Sequence, residues 1–256
     1  MKLSVTEAGE GDPLILLHGL FGAGKNLGAI ARALAPDFRV ISPDLRNHGA
    51  SPHGADMRYP TMAADVAETM DALGIRRAAV VGHSMGGKTA MALALAAPRR
   101  VERLAVLDIA PIRYVHDHDD HVEAMRAIPL SADLTRQAAD RALAERVPQK
   151  MLRAFLLNNL VLGDRPHWRI GLEEIAAAME DLTDWRDPPR SRPYPGEALF
   201  LHGGGSDYVP ESALPEIEDR FPQARIETIA GAGHWLHAER PDDVAAALRR
   251  FLGVTG

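Results

Sequence analysis

The sequence predicts an α/β fold, a mostly parallel, doubly wound sheet with helices on both faces. Short apolar or β-branched runs alternate along the chain with segments of helical character. Several of these runs end in Gly-rich turns, and one such turn leads directly into a helix. The chain has 256 residues, of which 46% are hydrophobic. It is therefore long enough to bury the core that such a sheet needs.

The first half alternates between apolar runs typical of strands and segments with apolar residues at helical spacing. In order, it predicts an edge strand at 3–7, a strand at 13–17, a helix around 27–34, a strand at 39–42, a helix at 61–73, a strand, turn and helix at 78–97, and a strand at 104–108. Thr61 is the expected N-cap of its helix. Strands separated by helices predict parallel pairing, and ligands of such sheets bind beyond the carboxyl ends of the strands.

The alternation stops after residue 111. Residues 112–195 are mostly helix-forming and contain no convincing strand, so they predict a helical insertion between two late strands. The sheet then resumes, with strands expected at 198–201 and 225–229 and helices from about 212 and over 241–251. We therefore divide the chain into a core, formed by residues 1–111 and 196–256, and the insertion.

Charge and composition argue against several classes of protein. The net charge is −6 and there is no basic run, which disfavours a nucleic-acid or anionic-membrane surface. The absence of cysteine excludes disulfides and thiolate catalysis. The first residues lack the apolar region of a signal peptide, and no stretch approaches 18 apolar residues. We expect a cytoplasmic monomer or small homo-oligomer that acts on small molecules, without nucleic-acid or membrane partners.

Residues 82–86 read Gly-His-Ser-Met-Gly and fit the pattern G-x-S-x-G between a strand and a helix. In this pattern the serine lies on a strained turn that only small neighbours accommodate. Ser84 then lies at the N-terminus of the helix, where the backbone N–H of Met85 can meet a developing oxyanion. Ser84 is the candidate nucleophile. The alternative is an ordinary Gly-rich turn of a doubly wound protein.

His234 is the candidate general base. A serine hydroxyl is a weak nucleophile, and it needs a base that is itself oriented by an acid. His234 lies in a Gly-bracketed turn after the last predicted strand, which suits chemistry better than packing. Asp108 and Asp207 both lie between Ser84 and His234 in the sequence, and both follow strands. Chain order therefore does not choose between the two acids.

Six motifs resemble one family. They are HGLFG at 18–22, PDLRNHG at 43–49, GHSMGGK at 82–88, LDIAP at 107–111, FLLNNL at 155–160 and GAGHW at 231–235. With them the chain resembles the α/β-hydrolases, and more narrowly the YbfF-type esterases and their mitochondrial abhydrolase relatives. The resemblance implies hydrolysis of carboxylic esters, and in some relatives of acyl thioesters such as acyl-CoA, without a cofactor. It also implies that residues 112–195 form a helical cap and that the N–H of Leu20 is the second oxyanion donor.

The same resemblance bears on the acid. Many hydrolases take it from the loop after the strand at 198–201, with two residues between the acid and a Val-Pro pair. Here only Tyr208 separates Asp207 from that pair, so Ser206 stands at the usual position. The YbfF-type relatives imply an acid at Asp108. We therefore favour Asp108 and keep Asp207 as the alternative.

Residues 19–26 also nearly fit a phosphate-binding loop of the form G-x-x-x-x-G-K-[ST]. Asn26 stands where that loop needs a Ser or Thr hydroxyl for Mg²⁺, so a nucleotide site is disfavoured.

His116, His118 and His121 lie among acidic residues, a spacing that can hold a metal. The segment is more typical of the solvated first turn of a helix, and we expect no metal.

The sequence thus predicts a cofactor-free serine hydrolase that acts on ester or thioester substrates. The Met, Leu and Phe content of the insertion indicates an apolar acyl site, with Phe21, Phe155 and Trp185 as candidate wall residues. One alternative is a hydrolase-fold enzyme of other chemistry, such as a carbon-carbon bond hydrolase or a cofactor-free perhydrolase. Another is a non-catalytic small-molecule-binding protein on the same fold. Lys88 has no predicted role.

Overall fold

Strands and helices alternate through residues 1–114 and 118–254, the part of the chain that the computed structural model describes. The strands are β1 (Val5–Ala8), β2 (Asp12–Leu17), β3 (Phe38–Pro43), β4 (Ala78–His83), β5 (Val101–Leu107), β6 (Leu160–Val161), β7 (His167–Trp168), β8 (Ala198–Gly203) and β9 (Ala224–Ile229). The helices are α1 (Gly28–Leu34), α2 (Tyr59–Ala72), α3 (Met85–Ala96), α4 (His118–Arg126), α5 (Arg136–Ala144), α6 (Lys150–Leu157), α7 (Leu172–Ala177), α8 (Met179–Thr183), α9 (Leu214–Arg220), α10 (Leu236–Glu239) and α11 (Pro241–Leu252). Short 3₁₀ turns lie at Gly24–Leu27, Pro98–Arg100 and Glu211–Ala213.

Within the described residues, seven of these strands form one sheet in the order β1-β3-β2-β4-β5-β8-β9. Edge strand β1 is antiparallel to β3, and the other pairs are parallel. His83, the last residue of β4, pairs with Leu107, the last residue of β5. The next residue of each strand therefore leaves the sheet at the same edge. The predicted fold class, a mostly parallel α/β sheet with helices on both faces, is confirmed.

Apolar side chains fill the space on both faces of the sheet. Along β2, Ile15 and Leu17 pack into one cluster with α2 and α3, whereas Leu14 and Leu16 pack into another with α1 and α11. All four side chains are buried. A strand that is covered on both faces has apolar residues at successive positions. This explains why apolar and polar residues do not alternate along these strands.

Two local predictions are corrected. Helix α2 begins at Tyr59, so Thr61 lies inside its first turn, and the Thr61 hydroxyl donates to Asp56 at 2.8 Å instead of capping the helix. The insertion also contains strands β6 and β7, which form an antiparallel pair. Strands of two residues are too short to leave a period in the sequence.

Helices α4 to α8 lie between β5 and β8 in the chain, within residues 112–195, which we call the cap segment. Leu152 and Phe155 of α6 and Leu182 of α8 reach cavities that Ser84 also lines. The cap segment therefore supplies part of the wall around the candidate nucleophile. No helix in the described ranges combines the length and apolarity needed to span a bilayer.

Candidate active site

Ser84 lies on a sharp turn between β4 and α3. Its backbone φ of 51° and ψ of −120° belong to a region that non-glycine residues rarely adopt. A Cβ atom on Gly82 would lie 2.2 Å from the carbonyl oxygen of Gly86, and a Cβ on Gly86 would lie 2.3 Å from that of Leu17. The chain therefore needs both glycines to make this turn, which holds Ser84 at the carboxyl edge of the sheet.

Asp108 and His234 meet at the same edge. Asp108 directly follows β5, has a φ of 54° and is 1% exposed. His234 lies in the turn after β9, and its Nδ1 is 2.7 Å from Oδ2 of Asp108. An ionised carboxylate only accepts hydrogen bonds, so Nδ1 carries the proton and Nε2 of the neutral ring is left as an acceptor.

Two further groups hold the Asp108 carboxylate. The backbone N–H of Gly203 donates to Oδ1 at 2.8 Å, and the hydroxyl of Ser206 donates to Oδ2. Asp207 is exposed, and no hydrogen bond or ion pair joins it to His234 in the described part of the chain. The structure thus brings Asp108 to His234 and leaves Asp207 in the solvated turn.

Tyr208 and His83 both pack against His234. The ring of Tyr208 stacks on it, with centroids 3.8 Å apart and planes 19° from parallel. The Nε2 of His83 lies 2.9 Å from the carbonyl oxygen of His234, so His83 donates to the backbone of the turn. Burial holds the pKa of His83 well below its usual range, so its ring stays neutral. Tyr208 was missed by sequence reasoning, because a tyrosine in a turn carries no spacing signal.

Two buried histidines shape the loop after β2. Nδ1 of His18 is 2.8 Å from the carbonyl oxygen of Gly19, and its Nε2 accepts the N–H of Leu45 at 2.9 Å. Nε2 of His48 accepts the N–H of Phe21 at 3.1 Å. Burial lowers the pKa of His18 to about 4 and the pKa of His48 to about 3. Both rings are therefore neutral acceptors that fix the loop carrying the N–H of Leu20.

Lys88 is an amine buried inside the fold. It lies on α3 and is 1% exposed. Its Nζ donates to the carbonyl oxygens of Thr183 at 3.1 Å and Asp184 at 2.8 Å, and it lies 4.7 Å from the centre of the Tyr114 ring. Burial lowers the pKa of Lys88 to about 7. Lys88 therefore ties the nucleophile helix to the end of α8 in the cap segment.

Ser84 lies where two cavities meet. The large cavity has a volume of about 210 Å³, and its wall includes Phe21, Phe155 and His234. The small cavity has a volume of about 30 Å³, and its wall includes Met85 and Lys88. Other residues line one of them or both: Leu20, Leu27, Tyr59, Ile109, Tyr114, Leu152, Leu182, Thr183, Tyr208 and Trp235.

Trp185 is placed elsewhere, which corrects its expected position in the cavity wall. It lines neither the large nor the small cavity. Its ring packs 5.9 Å from that of Tyr59, and its indole N–H donates to Asp187 at 2.9 Å. The carboxylate of Asp187 and the ring of Tyr59 on α2 thus hold Trp185 away from Ser84.

The loop that resembles a phosphate-binding site has a different local role. The backbone N–H of Gly24 donates to Asp44 at 2.8 Å, and the side chain of Asn26 accepts the N–H of Ala23 at 2.7 Å. The backbone N–H of Gly24, which a phosphate would need as a donor, is thus already bonded to a carboxylate. The structure therefore gives no support to a nucleotide site in this loop.

The possible metal cluster falls mostly outside the described residues. His116 and Asp117 are not described, nor are the side chains of His118 and Asp119. Within the described ranges, no group of three or more His, Asp or Glu side chains is arranged to hold a metal ion.

Comparisons with known proteins decide the family. A family model described as the α/β-hydrolase fold matches residues 12–241, which is most of the chain. The chain belongs to the α/β-hydrolase family. The narrower resemblance is also confirmed: this hydrolase is 42% identical to the esterase YbfF of Escherichia coli over 94% of its own length and 92% of the relative's.

Other relatives agree. The hydrolase is 43% identical to the sn-1-specific diacylglycerol lipase ABHD11 of Xenopus laevis, over 94% of its own length and 80% of the relative's. A solved structure of a marine microorganism esterase superposes with a TM-score of 0.94 at 37% identity, covering 98% of this chain and 99% of that one. These named esterases and lipases show that the protein is a hydrolytic enzyme, as predicted, and support ester hydrolysis as its reaction.

Proposed function

We propose that this hydrolase cleaves carboxylic esters and acyl thioesters through an acyl-enzyme on Ser84. The observation that carries the proposal is the 2.7 Å contact between Asp108 and Nδ1 of His234, at a cavity that Ser84 also lines. With the proton held on Nδ1, Nε2 is free to accept a proton from the serine hydroxyl. No hydrogen bond joins Ser84 to His234 among the described contacts, and catalytic hydrogen bonds often tighten only when substrate binds.

The reaction has two halves. Oγ of Ser84 attacks the substrate carbonyl carbon while its proton passes to Nε2 of His234, and the carbonyl oxygen takes the electron pair. Nε2 then returns the proton to the leaving oxygen or sulfur as the bond to the leaving group breaks. A water molecule then attacks the acyl carbon while Nε2 takes one of its protons. Nε2 passes that proton to Oγ of Ser84 as the bond between Oγ and the acyl carbon breaks, which releases the acid and restores the enzyme. Asp108 stays ionised and stabilises the imidazolium that forms in each half.

The oxyanion in each half is assigned to two backbone N–H groups. Met85 is the first residue of α3, so its N–H has no acceptor inside the helix and lies at the positive end of the helix dipole. Leu20 lies in the loop that the buried rings of His18 and His48 hold in place. Preorganised donors of this kind stabilise the charge that develops on the oxygen.

Replacing the nucleophile tests the proposal. Wild type is expected to hydrolyse a panel of p-nitrophenyl esters and acyl-CoAs and to be labelled by a fluorophosphonate, whereas Ser84→Ala loses both properties. Ser212→Ala is the matched control, because Ser212 is exposed in a 3₁₀ turn and is expected to behave as wild type. Turnover by Ser84→Ala close to that of wild type contradicts the mechanism.

The other chemistries of this fold use the same three residues, so only the addition of their own substrates to the panel separates them from ester hydrolysis. A carbon-carbon bond hydrolase or a perhydrolase would turn over its own substrates faster than any ester. The non-catalytic alternative is set aside, since the relatives show an enzyme. A cytoplasmic location, a monomer or small homo-oligomer and independence from cofactors stay predictions.

A further inference from the structure

Ser84 separates two cavities that differ in their relation to His234. Among the described residues, His234 lines the large cavity and does not line the small one. Tyr208 lies between them, since it stacks on His234 and lines both. The substrate carbonyl must sit at Ser84, so its two substituents extend to different sides.

Proton transfer decides which substituent lies on which side. In the first half of the reaction, Nε2 of His234 gives its proton to the leaving oxygen or sulfur. A donor and acceptor must come within about 2.6–3.2 Å for this transfer. The leaving group therefore lies in the large cavity with His234, and the acyl group points into the small cavity.

The small cavity has room for a short acyl group only. Its volume is about 30 Å³, and one water-sized group needs about 10–15 Å³ on this measure. About two or three heavy atoms therefore fit beyond the carbonyl. The large cavity, at about 210 Å³, accepts a group several times larger.

The wall of the small cavity is also held in place. The hydroxyl of Tyr59 donates to the carbonyl oxygen of Leu182, and Lys88 donates to that of Thr183 at 3.1 Å. The hydroxyl of Tyr114 donates to the carbonyl oxygen of Tyr208 at 2.6 Å. Widening the cavity would separate buried polar partners, which is costly. The limit on acyl size is therefore a property of the resting structure.

The large cavity has the opposite character. Its wall is mainly apolar and its rim reaches solvent, since Trp235 is 38% exposed. The apolar side chains are Leu20, Phe21, Leu27, Leu152, Phe155 and Trp235. Such a surface suits a hydrocarbon group that is larger than the acyl group.

We infer that this hydrolase prefers acetyl or propionyl esters and thioesters of larger, apolar alcohols or thiols. The inference rests on the proposed acyl-enzyme mechanism, and it reassigns the apolar site around Phe155 from the acyl group to the leaving group. Leu182 is then a residue that sets acyl length, and Phe155 is one that sets leaving-group size.

Two substrate series test the inference on the wild-type enzyme. In p-nitrophenyl esters from acetate to octanoate, kcat/KM is expected to fall about tenfold or more for each methylene beyond propionate. In acetate esters from ethyl to hexyl, whose alcohols have similar reactivity, kcat/KM is expected to rise or stay level. A kcat/KM that rises from acetate to hexanoate overturns the inference.

Two cap-segment variants locate the effect, and each is the control for the other. Leu182→Ala is expected to raise the ratio of kcat/KM for butyrate to that for acetate about tenfold, because it lengthens the small cavity. Phe155→Ala is expected to lower the ratio for hexyl to ethyl acetate by a similar factor, because it removes apolar contact in the large cavity. If each variant moves the other series, the two cavities are assigned the wrong way round.

Failure of the inference is distinguishable from failure of the proposed function. If Ser84 is labelled by a fluorophosphonate and long acyl esters are the best substrates, the mechanism holds and the inference is wrong. If Ser84 is not labelled and no ester is turned over, the mechanism itself is wrong and the inference falls with it.

Discussion

Replacing Lys88 by methionine is expected to change how stability depends on pH. Lys88 is enclosed between α3 and the cap segment, and burial lowers its pKa to about 7 from an ordinary value of 10.5. In the unfolded chain the amine is solvated and titrates at its ordinary value. Methionine has a similar length but no charge, so it removes the titration. It also leaves the carbonyl oxygens of Thr183 and Asp184 without this donor, a cost that does not vary with pH.

The sign follows from proton binding in the two states. Below about pH 7 the amine is charged in both states, and the native state bears the full cost of burying it. Between about pH 7 and 10.5 the unfolded state holds more protons, so the free energy of unfolding rises with pH. The depressed pKa corresponds to about 5 kcal/mol in total, of which about 3 kcal/mol falls between about pH 6 and pH 9.

Urea unfolding at several pH values measures this. The free energy of unfolding of wild type, minus that of Lys88→Met, is expected to rise by about 3 kcal/mol from about pH 6 to pH 9. Lys150→Met is the matched control, because Lys150 is exposed on α6 and its difference from wild type should stay constant. A difference for Lys88→Met that does not change with pH would refute a buried amine of low pKa.

Three further predictions concern the reaction. Asp108→Asn is expected to lower kcat by roughly ten-thousand-fold, the loss known in serine proteases when the histidine is left in the wrong tautomer. Asp207→Asn is expected to lower kcat by less than about tenfold. If steady-state kinetics gave the larger loss for Asp207→Asn, Asp207 would be the acid. Ser206→Ala removes a hydrogen bond to the Asp108 carboxylate, and a bond to a charged group is worth about 1.5–3 kcal/mol, so kcat should fall roughly ten- to hundredfold. Ser206→Thr keeps the hydroxyl and should keep most of the wild-type kcat. A kcat of Ser206→Ala equal to that of wild type would show that the bond has no part in positioning Asp108. His234→Ala is expected to lower kcat about as much as Ser84→Ala, because either loss disables the same proton transfer. Steady-state kinetics that leave kcat of this variant near that of wild type would exclude His234 as the base.

The main features of the site are predictable because they depend on local backbone chemistry. Ser84 is marked by glycines that a strained turn needs, and its strand and helix flank it directly. Asp108 and His234 each follow a strand, and parallel strands end at one edge of the sheet. The residues alone did not decide between Asp108 and Asp207 as the acid, because that choice depends on where the two carboxylates point.

Contacts between residues distant in sequence are not predictable in this way. Lys88 meets carbonyl oxygens 95 and 96 residues further along the chain, and nothing in the sequence of α3 indicates them. Trp185 looks like a cavity residue because of its size, but its indole N–H finds Asp187 two residues away. Thr61 fits an N-cap pattern, yet a nearby carboxylate offers its hydroxyl a stronger partner.

The hydroxyl of Ser206 shares Oδ2 of Asp108 with Nδ1 of His234. Position 206 is therefore already beside the imidazole, although it lies on a different loop of the chain. A carboxylate placed there would bring a second acid within reach of the histidine, but it would also lie against Oδ2 of Asp108. Because two like charges repel at that distance, one of the two carboxyl groups would hold a proton.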